Sequence, residues 1–216
     1  MSKLVKLTRG ARAFEAPNWV ADAIDGALAI GNGSYARVYG CKDGSALKIT
    51  RDRATMSLAK KLARSPLPGF APVWRASHLT MAKGKSLAVS MPTLFPLNSR
   101  QAASVKAIYG QSLAAACRLF GFEGSRAREA RIFACKYAAQ SESPRSSFSA
   151  CLCIQIASRC LPNPQGSDLR RSLIELASFC ETFGCDIDLL FTDNWMADEN
   201  GRLVLSDHVV HKAYAF

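Results

Sequence analysis

Residues 30–49, I-G-N-G-S-Y-A-R-V-Y-G-C-K-D-G-S-A-L-K-I, constrain this chain more than any other stretch. Strand-like residues flank Gly31-Asn32-Gly33, so a hairpin with a glycine-rich tip is expected. Glycine lets a backbone turn tightly and come close to a ligand. Asp43-Gly44 is a second hairpin signal, which predicts three antiparallel strands over 28–30, 36–41 and 45–50. Amides at such a tip point at an anion. Lys48, within A-L-K-I, would add a fixed positive charge, so Gly31, Gly33 and Lys48 read as a lid over phosphates.

The other end of the chain supplies a complement. Residues 188–209 read D-L-L-F-T-D-N-W-M-A-D-E-N-G-R-L-V-L-S-D-H-V. Asn194 starts a short strand, Asn200-Gly201 is a strong hairpin turn, and a second strand over Arg202 to Leu205 delivers Asp207. The hairpin is expected to bring Asn194 and Asp207 together as oxygen ligands. One or two such ligands plus phosphate oxygens suit Mg²⁺.

Lid, strand lysine, asparagine and aspartate, in that order, resemble the protein kinase fold. Their order and spacing are most similar to the early serine/threonine protein kinases of short-tailed lytic phages. The resemblance implies an α+β, bilobal protein kinase-like fold. Residues 1–93 would form an N-lobe with an N-terminal helix, a small antiparallel sheet, the glycine-rich loop and the strand lysine. Residues 94–216 would form a mostly helical, C-terminally truncated C-lobe with the catalytic loop and the metal-binding hairpin. ATP and Mg²⁺ are the implied ligands. Gly31, Gly33, Ser34, Val38 and Lys48 would hold the nucleotide, and Asn194 and Asp207 the metal. Asp188 would accept the substrate hydroxyl proton, with Lys48 as its catalytic companion.

The chain departs from the family pattern at four places. Ala36 replaces the third glycine of the lid. The family's catalytic aspartate lies five residues before the asparagine, where this chain has Leu189; Asp188 is six before, and Asp186 and Asp193 are alternatives. No glutamate occurs between Ile49 and Phe122, so the usual lysine–glutamate pair has no glutamate in its normal place. His208 and Val209 replace the phenylalanine and glycine after the metal aspartate, and seven residues then remain.

The resemblance implies a phage-type serine/threonine protein kinase that transfers the ATP γ-phosphate to host or self proteins during host takeover. The alternative is a catalytically weak pseudokinase that binds and inhibits a host factor, for example the transcription machinery. A small-molecule kinase of the aminoglycoside or sugar type is a third reading. A host protein substrate or an acidic host protein is the expected partner.

Charge bears on partners too. The chain carries 28 Lys and Arg against 17 Asp and Glu, a net charge of +11. Eleven of the basic residues and one acid, Asp52, fall between Ile49 and Phe122. Such a basic segment attracts acidic proteins or nucleic acid. Eight cysteines, none in a C-x-x-C pair, fit reduced, mostly buried thiols in a cytoplasmic protein. The basic N-terminus has no sustained apolar run, so no signal peptide is expected, and with no 18-residue apolar stretch free of charges no membrane span is expected.

Apolar periodicity predicts further elements. A helix is expected over Pro17 to Ala27 with Asn18 as its cap, another over Arg53 to Arg64, and strands over Ala71 to Ser77 and Ser86 to Met91 around a turn at Lys83-Gly84. Pro92-Thr93-Leu94 would be an adenine-holding hinge. Helices are expected over Ser99 to Phe120, Arg126 to Gln140, Ala150 to Cys160, and from a cap at Ser167 or Asp168 to about Thr182. The serine-rich segment Ser141 to Ser149 reads as an exposed loop.

Overall fold

The computed structural model describes residues 2–6, 14–33, 35–81, 84–124, 126–140, 145–159, 164–187, 194–206 and 209–210. Ser34, Asp188, Asp193, Asp207 and His208 lie outside this set, as does Lys83. The architecture is α+β with antiparallel sheets, and it divides into two compact units. The first comprises residues 1–66 and 71–93, the second residues 67–70 and 94–216.

The first unit is built on a five-stranded antiparallel sheet. Its strands are β3 (Leu28–Asn32), β4 (Ala36–Gly40), β5 (Ser45–Thr50), β6 (Arg75–Met81) and β7 (Gly84–Pro92), in the spatial order β3-β4-β5-β7-β6. Helix α2 (Arg53–Arg64) intervenes between β5 and β6. A separate hairpin, β1 (Ser2–Val5) with β2 (Phe14–Pro17), precedes helix α1 (Asn18–Ile24).

Side-chain alternation on β5 assigns each face of the sheet a cover. Leu47 and Ile49 join Val5, Phe14, Ala16, Val20, Tyr39, Leu79 and Ala88 in one core. Ala46, Lys48 and Thr50 point the other way. On that face Leu87 and Val89, the partners of Thr50 and Lys48, pack on Ala59 and Met56 of α2. Covering both faces explains why every residue of β5 is buried.

Helix α2 starts where Asp52 accepts the Thr55 N–H at 2.7 Å, a standard N-cap bond. Helix α1 differs from expectation. Pro17 occupies the N-cap with no side-chain capping bond, and Asn18 lies inside the helix. Proline fixes φ near the helical value and has no N–H to satisfy, which suits it to a helix start. β6 begins at Arg75, four residues later than the apolar pattern suggests.

The second unit contains α3 (Ser99–Leu119), α4 (Ala127–Gln140), α5 (Arg145–Arg159) and α6 (Pro164–Phe183). α5 packs on both α3 and α6, through a core that includes Leu113, Cys117, Leu152, Cys153, Ile156, Leu173, Leu176 and Cys180. Asn98 and Gln101 form a reciprocal capping box on α3. α6 begins at Pro164, a turn before the expected cap at Ser167 or Asp168, and Gly184 at φ 58° ends it. The expected loop over Ser141 to Ser149 is corrected in its second half. Residues 145–149 belong to α5, and Phe148 and Ser149 are buried. Residues 141–144 lie outside the described set.

Four short strands complete the second unit: β8 (Asp186–Ile187), β9 (Trp195–Ala197), β10 (Leu203–Leu205) and β11 (Val209–Val210). β9 pairs with β10, and β8 pairs with β11. Among the described residues, no helix is long and apolar enough to cross a membrane.

Candidate functional site

In the first unit three of the candidate residues, Gly31, Val38 and Lys48, lie along one row of the sheet. Successive cross-strand partners run Gly31, Val38, Lys48, Val89, Ala76. Direct partners share a face, so Gly31, Val38 and Lys48 lie together on the α2 side. A β-carbon on Gly31 would sit 3.4 Å from the Val38 Cβ, which is tight packing. The register slips between Ala29 and Gly31, a bulge at the base of the glycine-rich tip.

The tip is tied down on both sides. The Gly33 N–H donates to the Ala36 carbonyl at 2.9 Å. That amide is therefore committed to closing the turn, and an anion would gain it only once the bond opens. The Tyr35 carbonyl accepts from the Arg51 N–H at 3.0 Å and from the Thr50 hydroxyl at 3.4 Å. The Arg51 guanidinium also stands 5.8 Å from the centre of the Tyr35 ring, within cation–π range. The tip is thus anchored to the end of the strand that carries Lys48. Ser34 lies outside the described residues.

Lys48 is 7% exposed. A buried ammonium requires anionic company. α2, on the same face, contains four basic residues and no acid.

In the second unit, chain order and strand pairing nest one small sheet inside the other. β8 and β11 form the outer pair, β9 and β10 the inner hairpin. The connections β8→β9 and β10→β11 therefore both leave the hairpin at the end opposite its turn. There the Ser206 N–H and hydroxyl both donate to the Asn194 carbonyl, at 3.0 and 3.1 Å. Asn194 is thus adjacent to the residue before Asp207. Asp207, Asp188 and Asp193 lie outside the described residues, and among the described ones no group of three or more His, Cys, Asp or Glu side chains converges as a metal site.

Neighbouring segments hold the hairpin on both flanks. Phe95 exchanges two backbone bonds with Ala197, each 2.8 Å, and the Leu205 N–H donates to the Gly69 carbonyl at 2.9 Å. The Gln101 amide donates to the Gly201 carbonyl at 2.8 Å, joining the α3 cap to the turn. Within the turn, Asp198 accepts from the N–H groups of Asn200 and Arg202 at 2.9 and 2.8 Å, and Gly201 takes φ 72°.

Of the three alternative bases, Asp186 is described. It is buried on β8 and accepts the Ser149 hydroxyl at 3.2 Å. The same hydroxyl oxygen receives the Ile187 N–H at 3.4 Å. Asp186 thereby fixes β8 against α5, a structural use of the carboxylate. The sequence offered no signal for this pairing, because Ser149 sits in a segment of loop-like composition. No protein-family model matches this chain, and no curated protein matches it.

Proposed function

We propose that the chain is a kinase-like phosphoryl-transfer protein that uses ATP and Mg²⁺. The observation that carries this reading is the nested β8/β11 and β9/β10 arrangement, which bonds Asn194 to Ser206 at the start of the segment leading to Asp207. A strand lysine on the third strand of an antiparallel sheet, followed at once by a helix, supports it further. In this reading Gly31, Gly33, Ser34 and Val38 line the nucleotide and Lys48 steadies its phosphates. Asn194 and Asp207 hold the metal, which neutralises charge on the transferred group. Asp188 takes the proton from the acceptor hydroxyl. The resemblance makes a serine/threonine side chain of a host protein the acceptor and the host cytoplasm the place of action.

The acid-free α2 favours a second reading, a pseudokinase that binds a host factor without transfer. The experiment is transfer of label from γ-³²P-ATP to the protein itself and to host extract, with Mg²⁺. Lys48→Ala and Asp207→Ala should each reduce wild-type transfer at least a hundredfold. Wild-type protein that binds ATP without transferring it would leave the pseudokinase reading. Wild-type protein that transfers nothing and retains no host protein from the extract would end both.

A further inference from the structure

We infer that Asp52 is the counter-ion of Lys48, and so performs from the start of α2 the positioning role for which α2 itself carries no acid. The pairing stands on burial and local geometry; its functional meaning rests on the kinase-like reading above. Among the described residues of the first unit, Lys48 at 7% and Asp52 at 2% exposure are the only buried charged side chains. A buried charge without an opposite partner is strongly unfavourable. The other four acids of this unit, Glu15, Asp22, Asp25 and Asp43, are all exposed. Asp22 pairs with Lys3 at 2.7 Å, Asp25 with Lys42 at 3.6 Å, and Asp43 binds Ser45. Elimination therefore leaves Asp52 as the one acid of the unit buried as Lys48 is.

The local geometry agrees. Lys48 and Thr50 are two residues apart on β5 and share its α2-facing side. The Thr50 hydroxyl oxygen accepts the Asp52 N–H at 3.2 Å, which brings residue 52 round to that side. The Asp52 carboxylate caps α2 through Thr55, yet a carboxylate accepts several bonds at once. Capping and charge pairing can therefore be met by the same group. Because Asp52 is fixed at the first turn of α2, its grip on Lys48 would follow the position of that helix.

The test separates capping from pairing. Asparagine caps a helix as well as aspartate does, so Asp52→Asn retains the cap and removes the charge. Melting temperatures of Asp52→Asn, Lys48→Met and the double variant form one arm. The expected result is a loss in each single variant and a double-variant loss well below their sum. Affinity for a fluorescent (mant) ATP forms the other arm, with Asp52→Asn expected to weaken it about tenfold. Additive melting losses, or an Asp52→Asn that melts like wild type, would overturn the pairing. Non-additive losses with unchanged nucleotide affinity would uphold the pair and overturn its positioning role. Non-additive losses in a protein that binds no nucleotide would uphold the pair while the kinase-like reading fails.

Discussion

Gly69→Ala is the substitution whose consequence the structure defines most closely. A β-carbon at this position would lie 2.9 Å from the Leu169 Cα and from the Ser172 Cβ, and 3.0 Å from the Ser172 Oγ. The first of these atoms is helix backbone and cannot rotate aside. φ at Gly69 is not positive, so alanine meets no conformational barrier, and it would restrict the unfolded chain to a gain of about 0.4–1 kcal/mol. Against that gain stands overpacking, which costs about 1–3 kcal/mol. Moving Gly69 off α6 also strains two bonds, from its N–H to the Ser172 Oγ at 3.0 Å and from the Leu205 N–H to its carbonyl at 2.9 Å. Each contributes about 1 kcal/mol. The steric and hydrogen-bond terms outweigh the entropic one, leaving a net loss of about 2 kcal/mol, or about 5–10 °C in a unit of this size. Trp195, buried on β9, supplies a fluorescence signal within the affected unit. Thermal and urea unfolding of the two proteins would measure the difference. A Gly69→Ala protein as stable as wild type would refute the close seating of residues 67–70 on α6.

Three further outcomes follow from individual side chains. The Ser45 hydroxyl and N–H hold the Asp43 carboxyl below the usual carboxylate range, so its folded pKa lies below its unfolded one. Its contribution is present at neutral pH and is lost as pH falls through that lowered value; Asp43→Asn should remove this acid dependence, and an unchanged pH–stability profile would contradict it. Burial, with Cys151 nearby, pushes the Cys117 thiol up to about 11, and burial also raises Cys153. Because the thiolate is the reactive form, iodoacetamide at pH 8 should label half-buried Cys41 well before either, with mass spectrometry as the readout; equal rates would count against the packing of α3 and α5. Asp198→Ala removes the acceptor for two turn amides and should cost about 1–2 kcal/mol in urea unfolding, whereas no loss would mean the turn forms without it.

How much of this was legible depends on where each element draws its stability. β5 and α2 carry local signals: the Asp43-Gly44 turn before the strand, and the apolar periodicity of the helix. Their residues, Ser45–Thr50 and Arg53–Arg64, match the pattern read from the sequence. The β1–β2 hairpin has no such signal. Its strands are four residues each, and burial of Val5, Phe14 and Ala16 against the sheet supplies what their length cannot. Ser149 illustrates the opposite failure. Serine-rich composition argues for a loop, yet its hydroxyl bonds Asp186 across 37 residues, a partner invisible to any local window. At the site, Lys48 and the β9–β10 turn could be read directly. The closure of β8 on β11 could not, because a two-residue strand carries no periodicity.

That difference has a consequence for how the second unit assembles. An isolated two-stranded hairpin is marginal in water, and β9 and β10 have three residues each. The bonds that hold them come from far away in sequence: Gln101 to Gly201 over 100 residues, and Gly69 to Ser172 over 103, behind the Gly69–Leu205 bond. Closing such long loops is entropically costly and is offset only when the helices they join are already packed. The hairpin carrying Asn194 is therefore expected to depend on the helical core of its unit for its stability. A lesion at Gly69 should accordingly release Leu205 and disturb the Asn194–Ser206 bonds next to it. Hydrogen exchange at the Ser206 amide would register that change: faster exchange in Gly69→Ala at temperatures where α3 and α5 remain protected supports this order of dependence, and equal exchange would show that the hairpin stands without its distant anchors.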